Sequence, residues 1–227
     1  MAIQVIAHRG ASAEALENSL AAFRRAVALG ADGIELDVHS TLDGAIVVHH
    51  DTVVPAVGPI PDRTLGQLRA RSLPNGEPIP TLEEALHVAG PLDVWVELKA
   101  LDPAHDSALL AVLRRAAYPN RLAVHSFDHR IVQRLCVRHP ELRGGALLSA
   151  HLMDPVRALA DAHASVLWQE WSMIDRRLVE QVHESGRTII AWTADEAADL
   201  MHLADLGVDG LCTNRPDRAL HLLGRRP

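Results

Sequence analysis

From Val94 onward the chain keeps one rhythm: a short apolar run, a turn, a stretch of helical spacing, and another turn. Strands are predicted over Val94–Lys99, Leu122–Ser126, Ala146–Ser149, Val166–Gln169, Thr188–Thr193 and Gly210–Thr213. Between and after them fall predicted helices over Ser107–Ala117, Arg130–Arg138, Pro155–Ala162, Arg176–Glu184, Glu196–Leu206 and Pro216–Leu223. Such alternation buries its apolar faces in a parallel sheet covered by helices. Upstream, Ile3–His8 precedes a helix opened by Asn18-Ser19 and closed by Gly30. Ile34–His39 precedes, after an interruption, a helix that Thr81 caps with Glu84 at the capping-box position. About eight strands, each followed by a helix, define an α/β fold, the TIM (β/α)8 barrel. Residues 1–227 read as one such barrel domain. After the second strand come a short β-hairpin and a small cap excursion over 51–80, with at most one short helix near Leu65–Arg71.

The hairpin stretch Gly33–Asp51 contains Asp43-Gly44, which favours a two-residue type I′ turn because both central residues take positive φ. That turn sets Leu42 opposite Ala45 and Asp37 opposite His50. Glu35 then shares the face of Asp37, while Ile34, Leu36 and Val38 point the other way. On an open sheet these charges would simply face solvent. In a closed barrel they point at the axis near the C-terminal mouth, where two adjacent carboxylates need a cation or protons.

The third strand repeats the pattern: Val94, Val96 and Leu98 alternate with Trp95, Glu97 and Lys99, which brings Glu97 and Lys99 to the same mouth. Glu35, Asp37 and Glu97 form an all-oxygen set suited to one divalent cation, Mg²⁺ or Ca²⁺. A buried salt bridge from Lys99 to one of the acids accounts for the same spacing without chemistry. His8 ends the first strand and His50 ends the hairpin, a pair that suits one base and one acid near neutral pH. His49 should point to the opposite face. Arg9 and Lys99 offer fixed positive charge for an anionic group. Of Trp168, Trp171 and Trp192, near the ends of late strands, Trp192 is the candidate apolar wall for a substrate. Asn214-Arg215-Pro216 reads as a turn into the last helix, without a catalytic role.

A formal net charge of -7 argues against a nucleic-acid or anionic-membrane surface. The start, MAIQVIAHRG, lacks a basic region followed by a long apolar one, and no later run reaches the length of a membrane span. With only two cysteines, Cys136 and Cys212, in no metal or redox spacing, the expectation is a cytoplasmic protein with reduced thiols.

Several stretches in order carry a resemblance: His8-Arg9-Gly10, Glu17-Asn18-Ser19, Gly30 to Val38, Thr41 with Asp43-Gly44, His50-Asp51, Pro80 to Glu84, Glu97-Leu98-Lys99, Ser126-Phe127, Trp192-Thr193 and Gly207 to Gly210. Together they resemble the glycerophosphodiester phosphodiesterases, relatives of the phosphoinositide phospholipases C. The resemblance implies a TIM barrel that uses a divalent cation to hydrolyse glycerophosphodiesters, a small-molecule substrate, to sn-glycerol 3-phosphate and an alcohol. Carried over by position, it makes Glu35, Asp37 and Glu97 metal ligands, His8 and His50 the acid/base pair, and Arg9 and Lys99 phosphate-holding residues. The nucleophile is either an adjacent glycerol hydroxyl, through a cyclic phosphate, or water.

The chain departs from the family pattern where Ser19 replaces a usual threonine, and where Thr52-Val53-Val54-Pro55-Ala56 replaces a leucine and an Arg-Thr-Thr run. The excursion before Pro80 is short, an arrangement expected to leave the mouth open to bulky or lysolipid groups. Lysophospholipase D chemistry is therefore one alternative. A Schiff-base lyase acting through Lys99 is another, and a degenerate barrel that only binds a diester is a third.

Overall fold

A computed structural model describes residues 2–225. In chain order the elements begin with β1 (Gln4–His8), α1 (Leu20–Leu29), β2 (Gly33–Ser40), β3 (Ile46–Val48), β4 (Val53–Val54), β5 (Gly58–Pro59), α2 (Leu65–Leu68) and α3 (Leu82–Ala89). They continue with β6 (Asp93–Ala100), α4 (Asp106–Arg115), β7 (Leu122–Ser126), α5 (His129–Arg138), β8 (Arg143–Leu148) and α6 (Pro155–Asp161). The last are β9 (Val166–Glu170), α7 (Arg176–Glu184), β10 (Thr188–Trp192), α8 (Ala197–Leu206), β11 (Gly210–Thr213) and α9 (Pro216–Leu222). β1, β2, β6, β7, β8, β9, β10 and β11 pair in parallel in that order, and β11 closes on β1. The expected (β/α)8 barrel is thus formed.

Local chemistry accounts for the helix ends. The Ser19 hydroxyl accepts from the Ala22 N–H at 3.2 Å, and Gly30 ends α1 in the left-handed region at φ 77°. Thr81 and Glu84 form the reciprocal capping box of α3.

Strand alternation divides the core into layers. Ile34, Leu36, Val38, Val94, Val96 and Leu98 pack outward against the helices. Ile6, Trp95, Ala123, Leu147, Val166, Trp168, Ile190 and Cys212 fill the barrel axis. A third small cluster, Val47, Val54, Ile60, Leu68 and Ile79, fastens the excursion onto the hairpin. Within the excursion the antiparallel ribbon β4–β5 forms, which the Pro- and Gly-rich composition had concealed. Cys136 and Cys212 are buried and unbridged. No helix among the described residues is long and apolar enough to cross a membrane.

The hairpin differs from its predicted register by one residue. Val38 opposes Val48 and Ser40 opposes Ile46, so Asp37 lies level with His49, whose N–H donates to the Asp37 carbonyl at 3.0 Å. The loop is three residues long, Leu42 to Gly44: the Gly44 N–H donates to the Thr41 carbonyl at 3.0 Å, and Gly44 has φ 78°. A three-residue loop closed by a left-handed glycine is the pattern of a type I turn followed by a glycine bulge, and Asp43 fastens it in place. Its carboxylate accepts from the Thr41 hydroxyl at 2.6 Å and, in the excursion, from the Leu65 N–H at 3.0 Å.

Candidate active site

Two neighbouring strands build the centre. Glu35 and Asp37 stand on β2, and Asp37 is in register with Glu97 on β6. The pairing then skips a residue: Val38 opposes Leu98 but His39 opposes Ala100, which makes Lys99 the extra residue of a bulge. Lys99 turns its ammonium onto the acids, 2.9 Å from Asp37 Oδ1 and 2.7 Å from Glu97 Oε1.

Arg9 enters from the loop after β1, in the left-handed region at φ 56°, with Gly10 next at φ 83°. That bend aims the Arg9 backbone N–H at Glu35 Oε2, 3.2 Å away, and brings its Nε within 3.0 Å of Asp37 Oδ2. Its outer nitrogen donates to both oxygens of Glu17 at 3.0 Å. Asn18, at φ 54°, completes the cradle: its Nδ2 donates to Asp37 Oδ2 at 2.7 Å, and its Oδ1 accepts from the Asp37 N–H at 3.2 Å.

The electrostatics follow from this unequal sharing. Burial would raise Asp37, but Lys99 and Arg9 outweigh it and hold the carboxyl down to about 2. Glu35, 1% exposed, is pushed up to about 7 by burial and by the charge of Asp37. Glu97 is pushed up to about 7 by burial and by Glu35. Burial would lower the Lys99 ammonium, yet Asp37 and Glu97 keep it above its ordinary value. That is the opposite of what a Schiff-base nucleophile needs, so the lyase alternative finds no support here. With all three carboxyls ionised, the two fixed cations Arg9 and Lys99 leave one excess negative charge among them. An oxygen from each of Glu35, Asp37 and Glu97 lies within 4.8 Å of the others, and all three residues are buried. Such a buried all-oxygen set fits a hard divalent cation.

His8 reaches this centre from β1, its Nε2 3.9 Å from Glu35 Oε2. Its Nδ1–H donates to Asn214 Oδ1 at 2.8 Å, and the amide of Asn214 is held in turn by Asp195 Oδ2 at 2.7 Å. Asn214 is therefore more than a turn residue: it faces the imidazole of His8, a partnership invisible before the barrel closes. His50 stands apart from the direct contacts. β3 ends at Val48, so strand alternation no longer governs His49 and His50, and both border the same cavity instead of opposite faces. That cavity, about 420 Å³, also meets Glu17 and Asn18, which bind Arg9 and Asp37, and its far wall includes Val54, Leu68, Leu73 and Ile79. His50 Nδ1 lies 2.8 Å from Asp51 Oδ1.

The tryptophans separate as well. Trp168 is core, edge-on to Trp95 with ring centres 5.1 Å apart. Trp171 packs with the outer layer. Trp192 stays half-buried at the end of β10, its ring 5.5 Å from the half-exposed Phe127. His125, which no sequence pattern marked, lies beneath the acids at 1% exposure, its Nε2 3.6 Å from Glu35 Oε1.

Comparison with known proteins agrees with this geometry. A family model described as "Glycerophosphoryl diester phosphodiesterase family" matches residues 8–218. A glycerophosphodiester phosphodiesterase of Caldanaerobacter subterraneus subsp. tengcongensis is 34% identical, over 96% of this chain and 97% of its own. An Oleispira antarctica phosphodiesterase, solved in complex with the product sn-glycerol 3-phosphate, superposes with a TM-score of 0.91 at 26% identity, covering 97% of this chain and 96% of its own. A glycerophosphodiester phosphodiesterase of Parabacteroides distasonis gives 0.87 at 26% identity, covering 98% and 97%. A match that runs through the whole barrel, from His8 at the mouth to the last helix, leaves one assignment: the chain is an enzyme of the glycerophosphoryl diester phosphodiesterase family.

Proposed function

We propose that the protein hydrolyses glycerophosphodiesters, the deacylated forms of phospholipids, to sn-glycerol 3-phosphate and an alcohol. In this reading Glu35, Asp37 and Glu97 hold one divalent cation, Mg²⁺ or Ca²⁺. The observation that carries it is the charge balance of the cluster. Once all three carboxyls are ionised, they leave one negative charge in excess of Arg9 and Lys99, and a divalent cation turns this into one positive charge, the complement of a phosphodiester monoanion. The product held by the Oleispira antarctica relative supports the glycerol 3-phosphate half of the substrate. When bound, the cation neutralises developing charge and polarises a phosphoryl oxygen.

The remaining steps belong to the side chains. Arg9 and Lys99 bind the phosphate oxygens and keep the diester at the mouth. His8, with Nδ1 committed to Asn214, presents Nε2 for proton exchange, and His50, with Nδ1 at Asp51, does the same from the cavity side. One imidazole takes the proton of the attacking hydroxyl, from water or from the substrate's own glycerol, and the other returns a proton to the leaving alkoxide. Trp192 and Phe127 form the apolar lip over the glycerol or the alcohol. Two buried, unbridged cysteines are in keeping with a reducing, cytoplasmic setting.

The apolar wall of Val54, Leu68, Leu73 and Ile79 beside His50 favours a second substrate class, lysolipids, cleaved by the same chemistry. The test is release of glycerol 3-phosphate from glycerophosphocholine and glycerophosphoethanolamine, with and without EDTA, and of choline from lysophosphatidylcholine. Chelator-sensitive release, restored by Mg²⁺ or Ca²⁺ and lost by about 10² or more in His8→Ala and His50→Ala, is expected. No release from any diester by folded, metal-loaded protein would overturn the reading.

A further inference from the structure

The β7 strand places His125 in register with Glu97, which is itself in register with Asp37, so two acids and an imidazole lie side by side in one row of the barrel. The imidazole is fully enclosed, yet neither of its ring nitrogens has a hydrogen-bond partner. Glu35 Oε1, 3.6 Å from its Nε2, is likewise without one. Buried polar groups are almost always paired, so two orphans facing each other across less than 4 Å call for an explanation.

The ring has no freedom to look elsewhere. It lies against Trp168 with centres 4.3 Å apart and against Trp95 at 5.6 Å. Gly145 backs it: a Cβ there would come within 2.8 Å of Trp168 Cδ1, 3.0 Å of Trp95 Cζ3 and 3.1 Å of His125 Cβ. The absence of a side chain at 145 is what lets the imidazole approach the acids. The three atoms that can close on one ion come from Glu35, Asp37 and Glu97 and leave the imidazole out, so His125 reaches the ion only through a carboxylate.

We propose that His125 is a positioning residue for Glu35: its Nε2–H donates to Glu35 Oε1 and so holds that carboxylate toward the cation. Glu35 Oε2 already accepts from the Arg9 N–H at 3.2 Å, so the imidazole fastens the second oxygen and fixes the plane of the carboxyl group. This inference rests on the divalent-cation reading of the cluster. Outer residues of this kind set metal affinity by orienting ligands.

The test is Mn²⁺ binding to chelator-treated protein, followed by the electron paramagnetic resonance signal of the free ion, for wild type, His125→Phe and His125→Gln. Phe keeps an aromatic ring against Trp168 and removes the donor, whereas Gln keeps an N–H of similar reach. The expected result is a Kd about 10-fold or more weaker in His125→Phe, largely restored in His125→Gln, with unchanged circular dichroism. Wild-type affinity in folded His125→Phe, or an equal loss in both variants, overturns the role. If His125→Phe does not fold, His125→Met takes its place under the same criterion. A wild-type protein that binds no Mn²⁺, Mg²⁺ or Ca²⁺ overturns the cation reading itself, and this inference with it.

Discussion

The Nδ1–H of His8 donates to Oδ1 of Asn214 at 2.8 Å, across 206 positions of sequence. The bond joins the end of β1 to the residue just after β11, at the seam where the barrel closes. Asp195 holds the other side of the amide, Ser12 donates to the same Asn214 oxygen at 2.8 Å, and His8 Nε2 is left as the free ring nitrogen.

Replacing Asn214 with leucine should therefore release the imidazole without emptying the substrate site. The expected outcome is a fall in kcat of about 10- to 100-fold with KM little changed, since misplacement of a catalytic group costs on this order. Steady-state kinetics on glycerophosphocholine, with circular dichroism as a fold control, decide it. An unchanged kcat would remove Asn214 from the mechanism.

Metal-free protein should lose stability as the pH rises from about 4.5 through about 7. Glu35 and Glu97 keep their protons up to about 7 in the folded state but release them near 4.5 when unfolded. Between those values the folded state binds more protons, and stability falls with rising pH. Burial holds His125 neutral down to about 4, so its contribution runs the other way, gained as the pH climbs from 4 to its ordinary 6.5. Above 6.5 only the last part of the glutamate slope remains, and it levels off once the pH has passed about 7. Thermal melts in EDTA should show a lower Tm at pH 8 than at pH 6.5, a smaller drop in Glu97→Gln, and recovery on adding a divalent cation. A Tm that rises over this interval would contradict the charge assignment.

Lys99 serves the acids on both sides of it, and its removal should show in two measurements. With Lys99→Met, Asp37 keeps only Arg9 and Asn18. Breaking one partner of a largely buried pair costs about 3 kcal/mol, which urea unfolding of the metal-free protein would register. Turnover should fall by about 100-fold or more, as for loss of a group that stabilises transition-state charge. Borohydride with a carbonyl compound should label nothing at Lys99, because its ammonium stays protonated.

Gly145→Ala probes the packing under the site. The added methyl meets Trp168, Trp95 and His125 at once, all of them buried. Overpacking of this kind costs about 1–3 kcal/mol, so a lower Tm and a shifted tryptophan fluorescence are expected. A neutral substitution would mean that the strands below the acids yield more easily than their spacing indicates.

Local rules carried the sequence a long way. The two-residue period alone separated Ile34, Leu36 and Val38 from Glu35 and Asp37, and the same alternation brought Glu97 to the same mouth. Helix ends at Ser19, Gly30 and Thr81 were legible because caps involve only residues within a turn of each other. The strand-and-helix rhythm was enough for the barrel, and the barrel for the direction of the acids.

Whatever depended on residues far apart in sequence was decided by the tertiary structure. Asp43-Gly44 favours a two-residue turn in isolation, but the chain forms a three-residue loop with the register slipped by one, and its Asp43 carboxylate takes the Leu65 N–H of the distant excursion. The bulge at Lys99 arises from pairing with β2, not from anything within β6. Asn214 meets His8 only because β11 closes on β1, and His125 meets Glu35 only because Gly145, Trp95 and Trp168 shape the barrel axis around it. Periodicity and capping act over a few residues and are written in the chain. The partners of a buried polar group are set by ring closure and side-chain packing, which bring together residues that no local pattern connects.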